Sequence, residues 1–292
     1  MKDYLVKATV YNGKVRAYAI NSTDTVDEAR RRQDTWATAS AAMGRTMTVS
    51  AMMGAMLKGD DTITAKVEGG GPIGTIVADS DATGDVRGYL TNPHVDFDLN
   101  EQGKLDVAQA VGTEGTLSIV KDLGMKEHFT GQVPIVSGEI GDDFTYYFAN
   151  SEQVPSAVGA GVLVNPDLSI QASGGFIVQI MPDAEDEVIK HLEQKIQSFP
   201  AVSTLIRKGY SPEQILEELF GDDDVTIHSR LPVRFQCGCS KERVERAITG
   251  LGQEEIQSMI DEDHGAEATC HFCNEVYQFS EQDLEELKES IS

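Results

Sequence analysis

Alternating apolar and polar positions open the chain and predict a β-hairpin. Residues 4–10 and 14–20 both alternate as strands with one buried face do. Asn12-Gly13 stands between them and suits a two-residue type I′ turn, which requires positive φ at both central positions. The first twenty residues are therefore predicted to form two antiparallel strands.

A helical period replaces the alternation after the hairpin. It runs from about Asp27 to Leu57, and Gly59 suits the end of a helix. Methionine suits promiscuous contacts, so a surface that binds other proteins is one interpretation of the methionines here. Their helical spacing favours packing in the core instead. The methionines are Met43, Met47, Met52, Met53 and Met56.

Strand-like runs dominate the next part of the chain. Adjacent strands with grouped helices favour an α+β domain over alternating βαβ units. A short helix is predicted at about 142–153. The strand candidates are 62–68, 75–80, 84–90, 116–122, 158–164 and 168–181.

Three glycines between the first two of these strands satisfy the pattern G-x-G-x-x-G. They are Gly69, Gly71 and Gly74. A dinucleotide site needs a helix directly after the glycines, so that the helix N-terminus meets the pyrophosphate. Here Pro72 intervenes and a strand-like run follows, so a turn within a sheet is the favoured interpretation.

The sequence pattern changes after Pro182, where short amphipathic helices are predicted without a sheet of their own. Ser211-Pro212-Glu213-Gln214 has the form of a capped helix start, with Ser as N-cap and Pro at the first helical position. Residues 183–230 are therefore predicted to be a helical linker. The linker apolar residues Leu192, Ile196, Phe199 and Leu216 are candidates for a surface that binds other proteins if the linker opens.

This organisation predicts an α+β core at 1–182, with sheets and helices mixed, and a small metal-binding domain at 231–292. In the small domain, helices are expected after Ser240 and after Ser280, with a strand at about 274–279. A unit of roughly sixty residues with few large apolar side chains is marginal without a metal or disulfides.

The formal net charge of −24 limits the partners of the protein. Nucleic-acid binding rests on Lys and Arg that neutralise phosphates, and anionic lipid repels an acidic surface. We therefore expect neither nucleic acid nor membrane as a partner. The N-terminus has Asp3 and Lys7 where a signal peptide would be apolar, and no run is long enough to span a bilayer. A cytoplasmic protein is expected.

All four cysteines lie in the last fifth of the chain, as Cys237-Gly238-Cys239 and Cys270-His271-Phe272-Cys273. In a reducing compartment, such pairs indicate metal or redox chemistry rather than a structural disulfide framework. Four thiolates match one tetrahedral zinc site, which is favoured over four buried structural thiols. With four thiolates present, neither His264 nor His271 is needed as a ligand.

Two other functions use the same cysteines. A thiol–disulfide oxidoreductase would use Cys270-His271-Phe272-Cys273, although such motifs normally begin a helix after a strand. A zinc ribbon that binds RNA or DNA would fit the metal but is opposed by the charge. The sequence contains no G-x-S-x-G, H-E-x-x-H or P-loop motif, so no enzyme activity is expected.

The two cysteine motifs resemble those of the heat shock protein 33 family. The resemblance rests on FQCGCSKERVERAITGLGQEEI and ATCHFCNEVYQFSEQDLEEL, with support from EGGGPIGTIVADSDATGDVRGYLTNP at 68–93. It extends over essentially the whole chain.

The resemblance implies a redox-regulated, ATP-independent holdase in the cytoplasm. One Zn²⁺ bound by Cys237, Cys239, Cys270 and Cys273 would mark the reduced, inactive form. Oxidation would form the disulfides Cys237–Cys239 and Cys270–Cys273, release zinc and unfold the linker. The activated protein would dimerise and bind unfolded or oxidatively damaged client proteins.

Overall fold

The computed structural model describes residues 2–182, 184–221 and 223–291. They form two compact units, residues 1–236 and 237–292. The division lies after Gln236, whereas the sequence predicted the last domain to begin at residue 231. The difference arises because residues 226–235 pair as strands with the first unit. The mixture of sheets and helices confirms the predicted α+β class.

The first unit holds two sheets. One sheet has the strand order β10-β1-β2-β9-β8 and the other β11-β5-β4-β3-β6-β7. The strands are β1 (Tyr4–Val10), β2 (Val15–Asn21), β3 (Thr62–Glu68), β4 (Thr75–Asp81), β5 (Asp85–Leu90), β6 (Thr116–Asp122), β7 (Phe129–Pro134), β8 (Ser156–Val164), β9 (Ile170–Ile180), β10 (Thr226–Pro232) and β11 (Arg234–Phe235).

Seven helices are described in the same unit. They are α1 (Thr23–Gln33), α2 (Ala37–Gly54), α3 (Val107–Val111), α4 (Gly141–Asn150), α5 (Asp186–Gln197), α6 (Val202–Arg207) and α7 (Pro212–Phe220). Helix α2 packs against β4 and β5 of one sheet and against β8 and β9 of the other. Met43, Met47, Met52 and Met53 on this helix are at most 2% exposed, which confirms their predicted place in the core.

The first turn differs from the prediction by one residue. Tyr11 and Asn12 both have positive φ, and the N–H of Gly13 donates to the carbonyl of Val10. These are the features of a type I′ turn centred on Tyr11-Asn12 rather than on Asn12-Gly13. The Tyr11 ring in this turn lies edge-on to Phe220, with ring centroids 6.3 Å apart.

The single helix predicted from Asp27 to Leu57 is wrong, because the chain breaks between α1 and α2. Asp34 adopts a left-handed φ of 51° and ends α1. The backbone N–H of Trp36 then donates to the carbonyl of Pro93, and that of Thr38 donates to Asp96 Oδ1. A distant loop therefore supplies the partners that begin α2.

The glycine-rich segment is a turn between strands, as predicted. Strand β4 follows it directly, with no helix that could meet a pyrophosphate. Gly70 and Gly74 have positive φ. A Cβ on Gly71 would lie 2.4 Å from the carbonyl oxygen of Ala110, so the close approach of two backbones requires glycine here.

The predicted linker forms helices that lie on the first sheet. The capping box at Ser211 is present: Ser211 Oγ accepts from Gln214 N–H, and Gln214 Oε1 accepts from Ser211 N–H at 2.9 Å. The apolar cluster under these helices joins β1, β2 and β9 to linker side chains. The buried linker members are Leu192, Val202, Leu205, Ile206, Ile215, Leu216, Leu219 and Phe220.

The second unit is small. Its elements are α8 (Lys241–Thr249), α9 (Gln253–Asp263), β12 (Gly265–Thr269), β13 (Val276–Ser280) and α10 (Glu281–Ser290). Ser240 and Ser280 cap α8 and α10 as predicted. The buried core of this unit consists of Ile248, Ile256, Ile260, Phe279 and Leu284.

Candidate metal centre

The first cysteine pair lies in the turn that precedes α8. Ser240 begins that helix, and its hydroxyl accepts from the N–H of Arg243. The guanidinium of Arg243 reaches back and donates to the carbonyl of Gly238 at 2.8 Å. The start of α8 therefore fixes the turn that carries Cys237 and Cys239.

The second pair lies in the turn between β12 and β13. Cys270 N–H donates to the carbonyl of Glu275 at 2.9 Å, and Asn274 N–H donates to the carbonyl of Cys270 at 2.8 Å. Asn274 takes a left-handed φ of 56°, which closes the turn. The two strands continue the pairing from Thr269 opposite Val276 onwards. The pair thus joins two strands and does not begin a helix, unlike the oxidoreductase arrangement considered above.

The fold brings the four sulfurs together. Cys237 Sγ lies 3.7 Å from Cys270 Sγ, and Cys239 Sγ lies 3.3 Å from Cys273 Sγ. All four sulfurs are within 4.8 Å of one another. Sulfurs bound at about 2.3 Å around a tetrahedral zinc stand roughly 3.8 Å apart. The spacing and the donor type therefore fit a Cys₄ site.

The pKa values of Cys237, Cys239 and Cys273 reflect burial and the contacts within the cluster. Burial opposes ionisation of Cys237, but hydrogen bonds led by the N–H of Cys239 outweigh it and lower the Cys237 pKa to about 7. Burial raises the pKa of Cys239 and of Cys273, and the sulfurs of Cys237 and Cys270 add to the rise at both. At Cys239 the hydrogen bonds with Tyr277 and Cys273 act in the opposite direction without reversing the rise in pKa. The Cys237 thiolate therefore forms easily, whereas those of Cys239 and Cys273 are disfavoured, and a bound cation would relieve this.

The two nearby histidines lie apart from this group. His264 Nδ1 lies 2.9 Å from Glu281 Oε1, and its side chain is 73% exposed. His271 is exposed on the turn between the second pair of cysteines. Neither ring belongs to the group whose ligand atoms lie within 4.8 Å of one another.

Sequence reasoning did not identify Tyr277. Its hydroxyl donates to Cys239 Sγ at 3.1 Å. Cys239 is only partly buried. Tyr277, on the strand that follows the second turn, is thus a polar neighbour of the cluster. An aromatic hydroxyl four residues after Cys273 was the only trace of it in the sequence.

In the first unit, polar contacts fasten the linker helices to the first hairpin. Tyr11 Oη donates to Asp223 Oδ2 at 2.5 Å, and Lys195 Nζ lies 2.6 Å from the same oxygen. Burial opposes ionisation of Asp223, yet the contacts with Lys195 and Tyr11 lower its pKa.

A second contact of this kind lies at the start of α7. Tyr4 Oη donates to Glu213 Oε2 at 2.7 Å, and Arg230 pairs with the other oxygen of Glu213. Burial opposes ionisation of Glu213, but Arg230 and Tyr4 together lower its pKa. The linker is thus held by two charged contacts in addition to its apolar cluster.

No helix in the described part of the chain is long and apolar enough to cross a membrane.

Comparison with known proteins agrees with this architecture. A family model described as Hsp33 protein matches residues 3–280. A 33 kDa chaperonin from Oceanobacillus iheyensis is 69% identical, with 99% of this chain and all of that protein covered. One from Bacillus subtilis is 64% identical, with 99% of both covered.

A solved structure is also similar. The crystal structure of the 33 kDa chaperonin (heat shock protein 33 homologue) from Thermotoga maritima gives a TM-score of 0.91 at 38% identity, and 99% of both chains is covered.

Proposed function

Because this chain belongs to the Hsp33 protein family, a family of chaperones, we propose that it is a redox-regulated, ATP-independent holdase. The observation that carries the proposal is the group of four cysteine sulfurs within 4.8 Å of one another. Such a group can hold a metal when reduced and can form disulfides when oxidised. The protein would be inactive in the first state and active in the second.

In the reduced form, Cys237, Cys239, Cys270 and Cys273 would hold one Zn²⁺. Bound zinc would offset two of the four thiolate charges and tie the two turns together. The buried core of the second unit consists of five side chains. A unit with so small a core depends on its metal for folding, because metal binding and folding are then one equilibrium.

Oxidation by a peroxide would remove these ligands in pairs. One thiolate attacks an oxygen of hydrogen peroxide, the O–O bond breaks, and hydroxide leaves a sulfenic acid behind. The second thiolate of the pair attacks that sulfur, the S–S bond forms, and a second hydroxide leaves. We propose the pairs Cys237–Cys239 and Cys270–Cys273, which close only short loops and leave the intervening segment free.

The linker would transmit this change by chain continuity. Strand β11 ends at Phe235, two residues before the first cysteine. Unfolding of the second unit would therefore free the end of the chain that β10 and β11 tie to the core sheets. Release of the linker would uncover the apolar face of β1, β2 and β9, which includes Val6, Ala17 and Val178. Exposed apolar surface of this kind is what binds unfolding proteins.

The partners would be unfolded or oxidatively damaged proteins in the cytoplasm. A net charge of −24 would keep the protein soluble while apolar surface is exposed. The uncovered face also provides an apolar surface for a homodimer of the activated form. Neither nucleic acid nor a membrane is expected as a partner, and no catalytic activity is proposed.

The experiment measures zinc, free thiols and aggregation of an unfolding test protein, before and after peroxide at mildly raised temperature. The proposal predicts one zinc and four thiols before treatment, none after, and suppression of aggregation only after. Zinc retained through oxidation, or equal suppression by the reduced form, would contradict it. Insulin reduction with turnover would support the oxidoreductase instead.

A further inference from the structure

One cysteine of the cluster receives a hydrogen bond from a side chain that is not a cysteine. Tyr277 Oη donates to Cys239 Sγ at 3.1 Å. The other donors to these sulfurs include main-chain N–H groups, from Cys239 towards Cys237 and from Glu275 towards Cys273. A main-chain donor belongs to the turn itself, whereas the Tyr277 hydroxyl can be removed without altering the backbone.

The second unit holds this hydroxyl in place. Tyr277 stands in β13 opposite Ala268 of β12. Its half-buried ring packs against the apolar core of the unit, to which Phe279, two residues further on, also belongs. The direction of the hydroxyl is therefore set by the strand pair and the core, and the sulfur is 38 residues away in the chain.

A hydrogen bond to a thiolate reduces its reactivity. It occupies a sulfur lone pair and withdraws electron density, so attack on an electrophile first requires the bond to weaken. Hydrogen bonds to charged groups are stronger than neutral ones, and only part of that strength is lost on the way to the transition state. The effect should fall on the bonded sulfur and not on the others.

We propose that Tyr277 is a positioning residue that delays oxidation of Cys239. The inference rests on the proposed function, because it concerns the same four thiolates. In the first oxidation step, the Cys239 thiolate attacks an oxygen of hydrogen peroxide and the O–O bond breaks. Hydroxide departs, and Cys239 becomes a sulfenic acid. Cys237 then displaces a second hydroxide and closes the disulfide. The Tyr277 hydroxyl raises the oxidant level at which this pair reacts.

The first test uses the full-length, zinc-loaded protein with Tyr277→Phe, which keeps the ring and removes the hydroxyl. Tyr210→Phe is the matched control, since it removes a hydroxyl from the linker and leaves the cluster untouched. At fixed pH, limiting iodoacetamide is added without oxidant, and mass spectrometry gives the alkylation rate of each cysteine. We expect Cys239 to react about three- to tenfold faster in Tyr277→Phe, with Cys270 unchanged.

Two results would overturn the inference. Equal rates at Cys239 in Tyr277→Phe and wild type would mean that the hydroxyl has no effect on the sulfur. Equal acceleration at all four cysteines would mean that the side chain only supports the fold. Tyr277→Leu, which also removes the ring, supplies the pattern of such general loosening for comparison.

A second measurement strengthens the hydrogen bond instead of removing it. Replacing every tyrosine by 3-fluorotyrosine makes the hydroxyls more acidic and thus better donors. The ratio of Cys239 to Cys270 alkylation should then fall, and the fall should vanish when Tyr277→Phe is grown in the same way. A ratio that stays the same would contradict the proposal.

These readouts separate the inference from the proposed function. If wild-type protein keeps its zinc through peroxide, the redox-regulated holdase fails, while the alkylation ratio still reports on Tyr277. If zinc leaves on oxidation but the ratio does not depend on Tyr277, the holdase stands and the inference fails.

Discussion

Tyr11 in the first hairpin turn donates its hydroxyl hydrogen to Asp223, just beyond the last linker helix α7, at 2.5 Å. The two residues are 212 positions apart, and Lys195 from α5 meets the same carboxylate at 2.6 Å. One carboxylate thus joins the hairpin, the first linker helix and the end of the third. A mutation at this contact can therefore loosen the linker without any change to the cysteines.

Removing that hydroxyl should loosen the linker in the reduced protein. Tyr11→Phe keeps the ring contact with Phe220 and loses one hydrogen bond, which costs about 1 kcal/mol. We expect faster proteolysis within residues 186–230 while zinc content stays normal. Tyr210→Phe is the control, and an unchanged cleavage rate in Tyr11→Phe would show that the contact does not hold the linker.

Truncating a buried linker side chain should have a larger effect. Leu216 is fully buried between α7 and the first sheet, so Leu216→Ala should cost about 2–5 kcal/mol. The reduced, zinc-loaded variant should then suppress aggregation of an unfolding protein without peroxide. Glu218→Ala, at an exposed position of the same helix, is the control. Continued dependence on peroxide in Leu216→Ala would separate linker release from activity.

Loss of one thiol should unfold the second unit even in the reduced protein. Cys270→Ser should lose tight zinc binding and the helical signal of α8, α9 and α10, because the small core cannot fold the unit without metal. Zinc content and far-UV circular dichroism measure both changes. His271→Ala, beside the same cysteine, should leave both unaltered. Normal zinc in Cys270→Ser would exclude this residue from the ligand set.

Asp3 should make the stability of the first unit depend on pH. Burial raises the pKa of this carboxyl from 3.8 to about 6, against the hydrogen bonds that it receives from Thr25. Its Oδ1 finds no hydrogen-bond partner within the residues the structure describes. The folded protein thus holds the proton more tightly than the unfolded chain does. Its stability should fall as pH rises from 3.8 to about 6 and then stay level.

Asp3→Asn removes this dependence while its amide oxygen still accepts from the N–H of Thr25. Urea unfolding at pH 4.5 and pH 7.5 should show the variant gaining on wild type at the higher pH, by at most about 3 kcal/mol. A constant difference between the two proteins at both pH values would contradict the assignment.

Local chemistry explains which parts of the fold the sequence predicts. The capping box of Ser211 and Gln214 lies within one helical turn, and the helix starts where those residues place it. The cysteines were found because their type and spacing allow few alternatives. By contrast, the break at Asp34 depends on Pro93 and Asp96, which lie some sixty residues along the chain.

Strand β10 and Tyr277 were missed for the same reason. Residues 226–232 have no alternating apolar pattern, and they become a strand because β1 offers them a free edge. Tyr277 reads as an ordinary strand residue until the fold brings it to Cys239. Contacts made across many residues carry no signal in a single sequence, whereas contacts made within one turn do.

The pairing of sulfurs across the cluster also determines how much chain the site restrains. The closest contacts join residues 33 and 34 positions apart, Cys237 with Cys270 and Cys239 with Cys273. Under the proposed oxidation, the bonds would instead close loops of three and four residues. By the logarithmic dependence of loop entropy on length, exchanging a loop of about 34 residues for one of about 3 returns roughly 2 kcal/mol of freedom to the chain. The same four sulfur atoms would thus restrain the whole segment from α8 to β12 when reduced, and almost none of it when oxidised.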